Sequence, residues 1–157
     1  QGTTFRIYFP KVEASLQVVR PSVLTSEAIP RGSETVLLVE DEAGVRTVTR
    51  EFLESIGYTV LESGNGAEAF SLVHDHAGPI HAILTDLIMP GLRGSEVASY
   101  LQKSHPSARV ILMSGHSDRT LNIGESGLDA LFLQKPFKLA VLAQKLRAAI
   151  DQEQQAA

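Results

Sequence analysis

Acids, a hydroxyl and an amine stand where apolar runs of this chain stop. Thr35-Val36-Leu37-Leu38-Val39 runs into Glu40-Asp41, and Ile80-His81-Ala82-Ile83-Leu84-Thr85 runs into Asp86. Val110-Ile111-Leu112-Met113 runs into Ser114, and Ala130-Leu131-Phe132-Leu133 into Gln134-Lys135-Pro136. If the runs are parallel strands, their carboxyl ends share one rim, the place where open α/β sheets bind ligands. Carboxylates crowded on a rim repel one another. At ~5 Å and an effective dielectric of ~20, one pair costs roughly 3 kcal/mol. A proton or a cation relieves that cost. Hard divalent cations take oxygen ligands, and Mg²⁺ keeps several waters while using one or two carboxylates. This chemistry points to Asp41 and Asp86 as metal ligands, with Glu40 acting through a water and the backbone carbonyl of Ile88 completing the protein's share.

A carboxylate beside Mg²⁺ can also be a nucleophile toward a phosphoryl donor, which gives an aspartyl phosphate. The transferring group spreads charge over its equatorial oxygens and needs cations and donors around it. Lys135 offers an ammonium and Ser114 a hydroxyl for the oxygens that Mg²⁺ leaves uncovered. Each residue alone says little. An acid after a strand is commonly a solvated loop residue or a helix cap, and Lys-Pro is commonly a turn. The information lies in the four roles occurring together, in this order, each at the end of an apolar run.

The elements that must position them follow from periodicity. Val45, Val48, Phe52 and Ile56 lie at helical spacing after the first strand, and Gly57 ends that helix. Tyr58 to Leu61 reads as a short second strand. Asn65 with Glu68 three residues on is a capping pair for a helix carrying Phe70 and Val73. Met89-Pro90-Gly91 is a turn, and Val97 and Leu101 mark a third helix closed by His105-Pro106. Leu139, Leu142, Leu146 and Ile150 form one apolar stripe on a final helix. Strands alternating with helices imply a parallel sheet covered on both faces, with right-handed crossovers. The crossover between Ser114 and Ala130 holds three glycines and little periodicity, enough for a short or frayed helix.

Composition narrows the classes. With 157 residues, 43% hydrophobic and 20% charged, the chain has material for one ordinary domain and some excess. A net charge of −4 argues against non-specific nucleic-acid binding, which favours a basic patch. The absence of cysteine excludes disulfides and thiolate chemistry. No apolar run approaches a membrane span, and no secretory signal pattern opens the chain. The start at Gln1 reads as a cut within a longer protein, and direct membrane contact by this piece is not expected.

Glu34 to Asp151 resembles the receiver domain of two-component response regulators. The matching motifs are Leu37-Leu38-Val39-Glu40-Asp41-Glu42, Leu84-Thr85-Asp86-Leu87-Ile88-Met89-Pro90-Gly91, Met113-Ser114-Gly115 and Gln134-Lys135-Pro136-Phe137. The resemblance implies a doubly wound, flavodoxin-like α/β fold with a five-stranded parallel sheet in order 2-1-3-4-5. It implies that Asp86 takes a phosphoryl group from a phosphohistidine, with Mg²⁺ as cofactor. Glu40 and Asp41 match the acidic pair, Lys135 the lysine, Ser114 the switch hydroxyl and Phe132 the switch aromatic. It further implies a cis Lys135-Pro136 bond. A receiver of this kind is a self-phosphorylating switch rather than a classical enzyme. The glycine-containing fourth crossover departs from the family, where a regular helix there forms part of the signalling face.

A second resemblance is shorter. Gly2-Thr3-Thr4-Phe5-Arg6-Ile7-Tyr8-Phe9-Pro10 is similar to the last strand of a histidine-kinase ATP-binding domain. The expected organisation is a remnant strand at 1–10, a linker at 11–33, a receiver at 34–151 and a tail at 152–157. This order resembles the end of a hybrid sensor histidine kinase. It implies as partners a histidine-kinase dimerisation and phosphotransfer domain and a downstream histidine phosphotransfer protein. It also implies a cytoplasmic location, with a parent that can be membrane-attached.

Rival readings explain less. Gly64-Asn65-Gly66-Ala67-Glu68-Ala69 fits the dinucleotide pattern G-x-G-x-x-A, with Asp86 about 20 residues on. Glu62 and Ser63 intervene between the expected strand and the first glycine, and the reading leaves Glu40, Asp41, Ser114 and Lys135 without a role. A haloacid-dehalogenase-like phosphatase needs a second Asp two residues after the nucleophile, where this chain has Ile88. A receiver fold used only as an unphosphorylated interaction module would not need the intact acid set.

Overall fold

The computed structural model describes residues 2–4, 6, 29–91, 94–115 and 130–154. Most of the expected strand over Thr3 to Phe9, most of the linker, and residues 116–129 of the fourth crossover lie outside the described residues. Five strands and four helices are described: β1 (Thr35–Val39), α1 (Ala43–Ser55), β2 (Thr59–Ser63), α2 (Gly66–Asp75), β3 (Ala82–Asp86), α3 (Gly94–Ser104), β4 (Arg109–Ser114), β5 (Ala130–Gln134) and α4 (Leu139–Gln154). The strands pair in parallel in the order β2-β1-β3-β4-β5, the expected topology.

The continuous apolar runs of β1, β3 and β4 are explained by burial on both faces, whereas the edge strand β5 leaves Leu131 and Phe132 exposed. Val36 and Leu38 of β1 point into a core with Leu84, Ile111, Met113 and the α4 residues Leu142, Leu146 and Ile150. Leu37 and Val39 point the other way, toward Ile83, Leu112 and the α3 residues Val97 and Leu101. α1 and α4 therefore cover one face, and α2 and α3 the other. The chain reverses between β1 and its two neighbours, β2 and β3. That reversal opens a crevice at the carboxyl ends of β1 and β3, where Glu40, Asp41 and Asp86 sit.

Two local expectations change. β2 extends to Ser63 rather than stopping at Leu61, with Glu62 opposite Leu38 and Ser63 opposite Val39 in the register. Its polar end did not read as strand because β2 is an edge strand, free to alternate polar and apolar residues. Of the expected α1 stripe, Phe52 and Ile56 pack against the core, but Val48 does not. Thr49 and Leu53 are the helix's buried residues, whereas Val48 is 55% exposed. Helical spacing identifies rows of residues but not which row meets the sheet. Val48 instead lies with Val45, Phe137 and Leu139 along an open groove.

The other punctuation behaves as expected. Gly57 has φ 106° just after α1, and Gly91 has φ 90° in the Pro90-Gly91 turn. Asn65 caps α2, its side chain accepting from the Glu68 N–H at 2.9 Å. α4 runs through Gln154, beyond Asp151. The Lys135-Pro136 peptide is cis. Among the described residues no helix is long and apolar enough to cross a membrane.

Candidate functional site

The sheet's hydrogen-bond ladder continues one step past each strand that carries a site residue. Glu40 N–H donates to Ser63 O at 3.0 Å, Leu87 N–H to Met113 O at 2.8 Å, and Lys135 N–H to Ser114 O at 2.7 Å. Glu40, the residues after Asp86, and Lys135 are thus held by the sheet rather than by free loops. This is how four separated segments converge with defined geometry.

Glu40, Asp41 and Asp86 each offer a carboxylate oxygen, and these atoms lie within 4.8 Å of one another. The three differ in exposure: Glu40 is 1% exposed, Asp86 is partly buried and Asp41 is exposed. Lys135 Nζ donates to Glu40 Oε2 and to Asp86 Oδ2, both at 2.6 Å. The second Asp86 oxygen, Oδ1, accepts from the Ile88 N–H at 3.1 Å. That contact folds the chain after β3 over the carboxylate and brings the Ile88 backbone to the site. Ser114 is buried one residue beyond Met113, which is Asp86's partner in the β3–β4 register. Among the described residues no hydrogen bond links its hydroxyl to Asp86; it meets the site through its carbonyl. Phe132 lies on β5, 43% exposed, with its carbonyl accepting from the Lys145 ammonium.

The electrostatics are those of a site with too much negative charge. Burial pushes the Glu40 carboxyl up, the Lys135 hydrogen bond pulls it down, and repulsion from Asp86 adds to the rise; the net direction is upward. Burial would lower the Lys135 ammonium, but its bonds to Asp86 and Glu40 outweigh that and hold it above the ordinary lysine value. One ammonium therefore serves two carboxylates at once and does not fully compensate either. A cluster of hard oxygen donors that retains excess negative charge after its lysine is counted fits a divalent cation.

The neighbourhood of Asp86 contains a residue that sequence reasoning missed. A β-carbon added at Gly94 would lie 1.7 Å from Asp86 O and 3.0 Å from Thr85 Oγ1. Gly94 N–H also donates to Leu87 O at 3.1 Å, so α3 begins in direct contact with the strand end that carries Asp86. Only the missing side chain allows this approach. Within the sequence, Gly94 reads as an unremarkable loop residue before a helix.

The dinucleotide alternative loses its phosphate site. Although Gly64 directly follows β2, its N–H already donates to Glu68 Oε2 at 2.7 Å, and Asn65 Oδ1 takes the Glu68 N–H. A carboxylate thus occupies the turn where a pyrophosphate would need free donors and no negative charge.

Comparisons with known proteins agree with this fold. The family description "response regulator receiver domain" matches residues 36–147. The sensor kinase CckA of Brucella abortus (strain 2308) is 32% identical over 161 residues, spanning 98% of this chain; the chain spans 17% of that kinase's length. A crystal structure of a receiver domain protein from Clostridium thermocellum superposes with TM-score 0.71 at 25% identity, covering 79% of this chain and 99% of the other. The receiver domain from the hybrid histidine kinase CckA gives TM-score 0.63 at 29% identity, covering 74% and 98%. Receiver domains take part in two-component signalling, where they accept phosphoryl groups and bind Mg²⁺ in an acidic pocket. With the fold, the acid pocket and the family match in agreement, the chain belongs to the response regulator receiver domain family.

Proposed function

We propose that Asp86 is a phospho-acceptor that takes a phosphoryl group from a phosphohistidine. The observation that carries this reading is the meeting of Glu40, Asp41 and Asp86 within 4.8 Å under a single bridging ammonium. Asp41, Asp86 and the Ile88 carbonyl would hold Mg²⁺ directly, and Glu40 through a water. When bound, Mg²⁺ supplies positive charge for the oxygens of the transferring group. An Asp86 carboxylate oxygen forms the new bond to phosphorus, the phosphorus–nitrogen bond to the donor imidazole breaks, and its electron pair returns to the ring. Lys135, 2.6 Å from Asp86 Oδ2, is within reach of one oxygen of the acquired group. In this reading the Ser114 hydroxyl serves another, and the exposed Phe132 turns inward behind it as the switch.

The donor in this proposal is the dimerisation and phosphotransfer domain of a histidine kinase. A histidine phosphotransfer protein is the downstream partner. The similarity to a sensor kinase over 98% of the chain supports a hybrid histidine kinase as the parent. In that parent, residues 1–10 end the ATP-binding domain, 11–33 link it to the receiver at 34–151, and the location is cytoplasmic. The test is a phosphotransfer profile from phosphorylated kinase cores. The wild-type chain is expected to gain label and Asp86→Asn to gain none; equal labelling of both rejects Asp86 as the acceptor.

A further inference from the structure

Arg46 stands fourth in α1, in a turn where a cation opposes the helix dipole. The first turn of α1 has no acidic residue to balance it, and Glu42 at the N-cap makes no side-chain cap. The guanidinium instead folds back over the helix start. One of its nitrogens donates to Glu40 O at 2.7 Å and reaches Asp41 O at 3.4 Å, while Nε lies 3.9 Å from Glu62 of β2. Glu40 N–H is already bound to Ser63 O, so Arg46 completes the pairing of the Glu40 peptide. The two carbonyls it holds belong to residues that supply two of the three carboxylates of the acid pocket. With a side chain only 23% exposed, Arg46 is fixed between α1, β2 and the turn that leads from β1.

We propose that Arg46 is a positioning residue for the divalent cation, acting by clamping the backbone of Glu40 and Asp41 so that their carboxylates are pre-arranged. This rests on the Mg²⁺ reading of the pocket. The sign of its effect is diagnostic. As a mere nearby positive charge, Arg46 would repel Mg²⁺, and its removal would tighten binding. As a clamp, its removal leaves the acid turn free to move, and binding weakens. Groups that orient metal ligands from behind are typically worth about tenfold or more in affinity.

The experiment is a Mg²⁺ titration of the full chain followed by backbone amide NMR signals, which report on folded molecules only. The variants are Arg46→Met, which keeps the stem and loses the donors, and Arg46→Lys, which keeps the charge and a single point donor. Unfolding of each metal-free variant is measured in parallel. The expected result is affinity about tenfold weaker for Arg46→Met, partly restored in Arg46→Lys. Unchanged or tighter Mg²⁺ binding by Arg46→Met overturns the clamp, whether or not its stability falls. A wild-type chain that binds no Mg²⁺ overturns the metal reading of the pocket and the clamp with it.

Discussion

The two ends of the sheet each hold a largely buried glutamate against a cation, and the two glutamates respond in opposite ways. At the rim, Glu40 shares Lys135 with Asp86, and burial with Asp86 repulsion leaves its carboxyl raised. At the base, Glu34 meets Arg147 at 2.7 Å and also accepts from the Ser33 N–H at 2.8 Å. Burial raises Glu34 too, but the Arg147 and backbone hydrogen bonds outweigh it and the net direction is downward. Arg147 also pairs with Asp151 at 2.8 Å, but Asp151 is half exposed to solvent, and the guanidinium still holds the Glu34 carboxyl below its ordinary value. There the Glu34–Arg147 pair ties the entry to β1 to α4, beside Gly32, whose N–H donates to Ile56 O at 3.2 Å. Among the described residues the three rim carboxylates have one lysine bonded to them, while Arg46 is bound to backbone carbonyls behind them, so the rim is left with a charge that a further cation can satisfy. The proposed function sits at the end where the fold leaves its electrostatics unfinished.

The largest expected disturbance to this contrast is steric. Gly94→Ala puts a methyl carbon into the Asp86 carbonyl and must displace α3 or the end of β3. A loss of about 3 kcal/mol in chemical denaturation is expected, together with loss of Asp86 labelling. Wild-type stability in Gly94→Ala would show that the strand end is not held as described.

Lys135→Ala sharpens the contrast by removing the rim's cation. Breaking a fully buried pair costs roughly 3–5 kcal/mol. Lys135 keeps 23% exposure, so about 2 kcal/mol is expected without metal. Mg²⁺ should recover part of that loss and raise the melting temperature of Lys135→Ala more than that of wild type. If Mg²⁺ binding is lost in Lys135→Ala, the lysine organises the metal site instead of competing with it.

A smaller effect is expected at the base. Glu34→Gln should cost about 1–2 kcal/mol at neutral pH through weakened hydrogen bonding to Arg147. Because Glu34 is held below its ordinary value of 4.5, the stability it gives is present above that pH and drains away as pH falls through the lowered value. The gap between wild type and Glu34→Gln should therefore close below pH 4.5. A gap that widens on acidification would contradict the assigned direction. Lys135, raised above 10.5, gives the opposite dependence: its contribution is full below that pH and is lost as pH climbs through the higher value.

Much of this was legible in the sequence because parallel strands buried on both faces must be continuous apolar runs. The ends of β1, β3 and β4, and hence their rim residues, followed from that pattern; β5 read as an apolar run although Leu131 and Phe132 are exposed on it, and the Asn65 cap followed from Glu68 three residues on. What was hidden depends on contacts across the fold. Val48 has the right spacing for the core yet faces out, because periodicity cannot select among helical rows. The end of β2 was masked by the polar residues that an edge strand tolerates. Gly94 carries no local sign that a carbonyl eight residues earlier will press on it, and Glu34 and Arg147 are separated by 113 residues.

The most direct test of the central claim is the intact mass of the wild-type chain after incubation with acetyl phosphate, with and without Mg²⁺. The expected result is a gain of one phosphoryl group that needs Mg²⁺, is removed by hydroxylamine and is absent in Asp86→Asn. A mass that never changes under donor and Mg²⁺, or a gain that persists in Asp86→Asn, would contradict it.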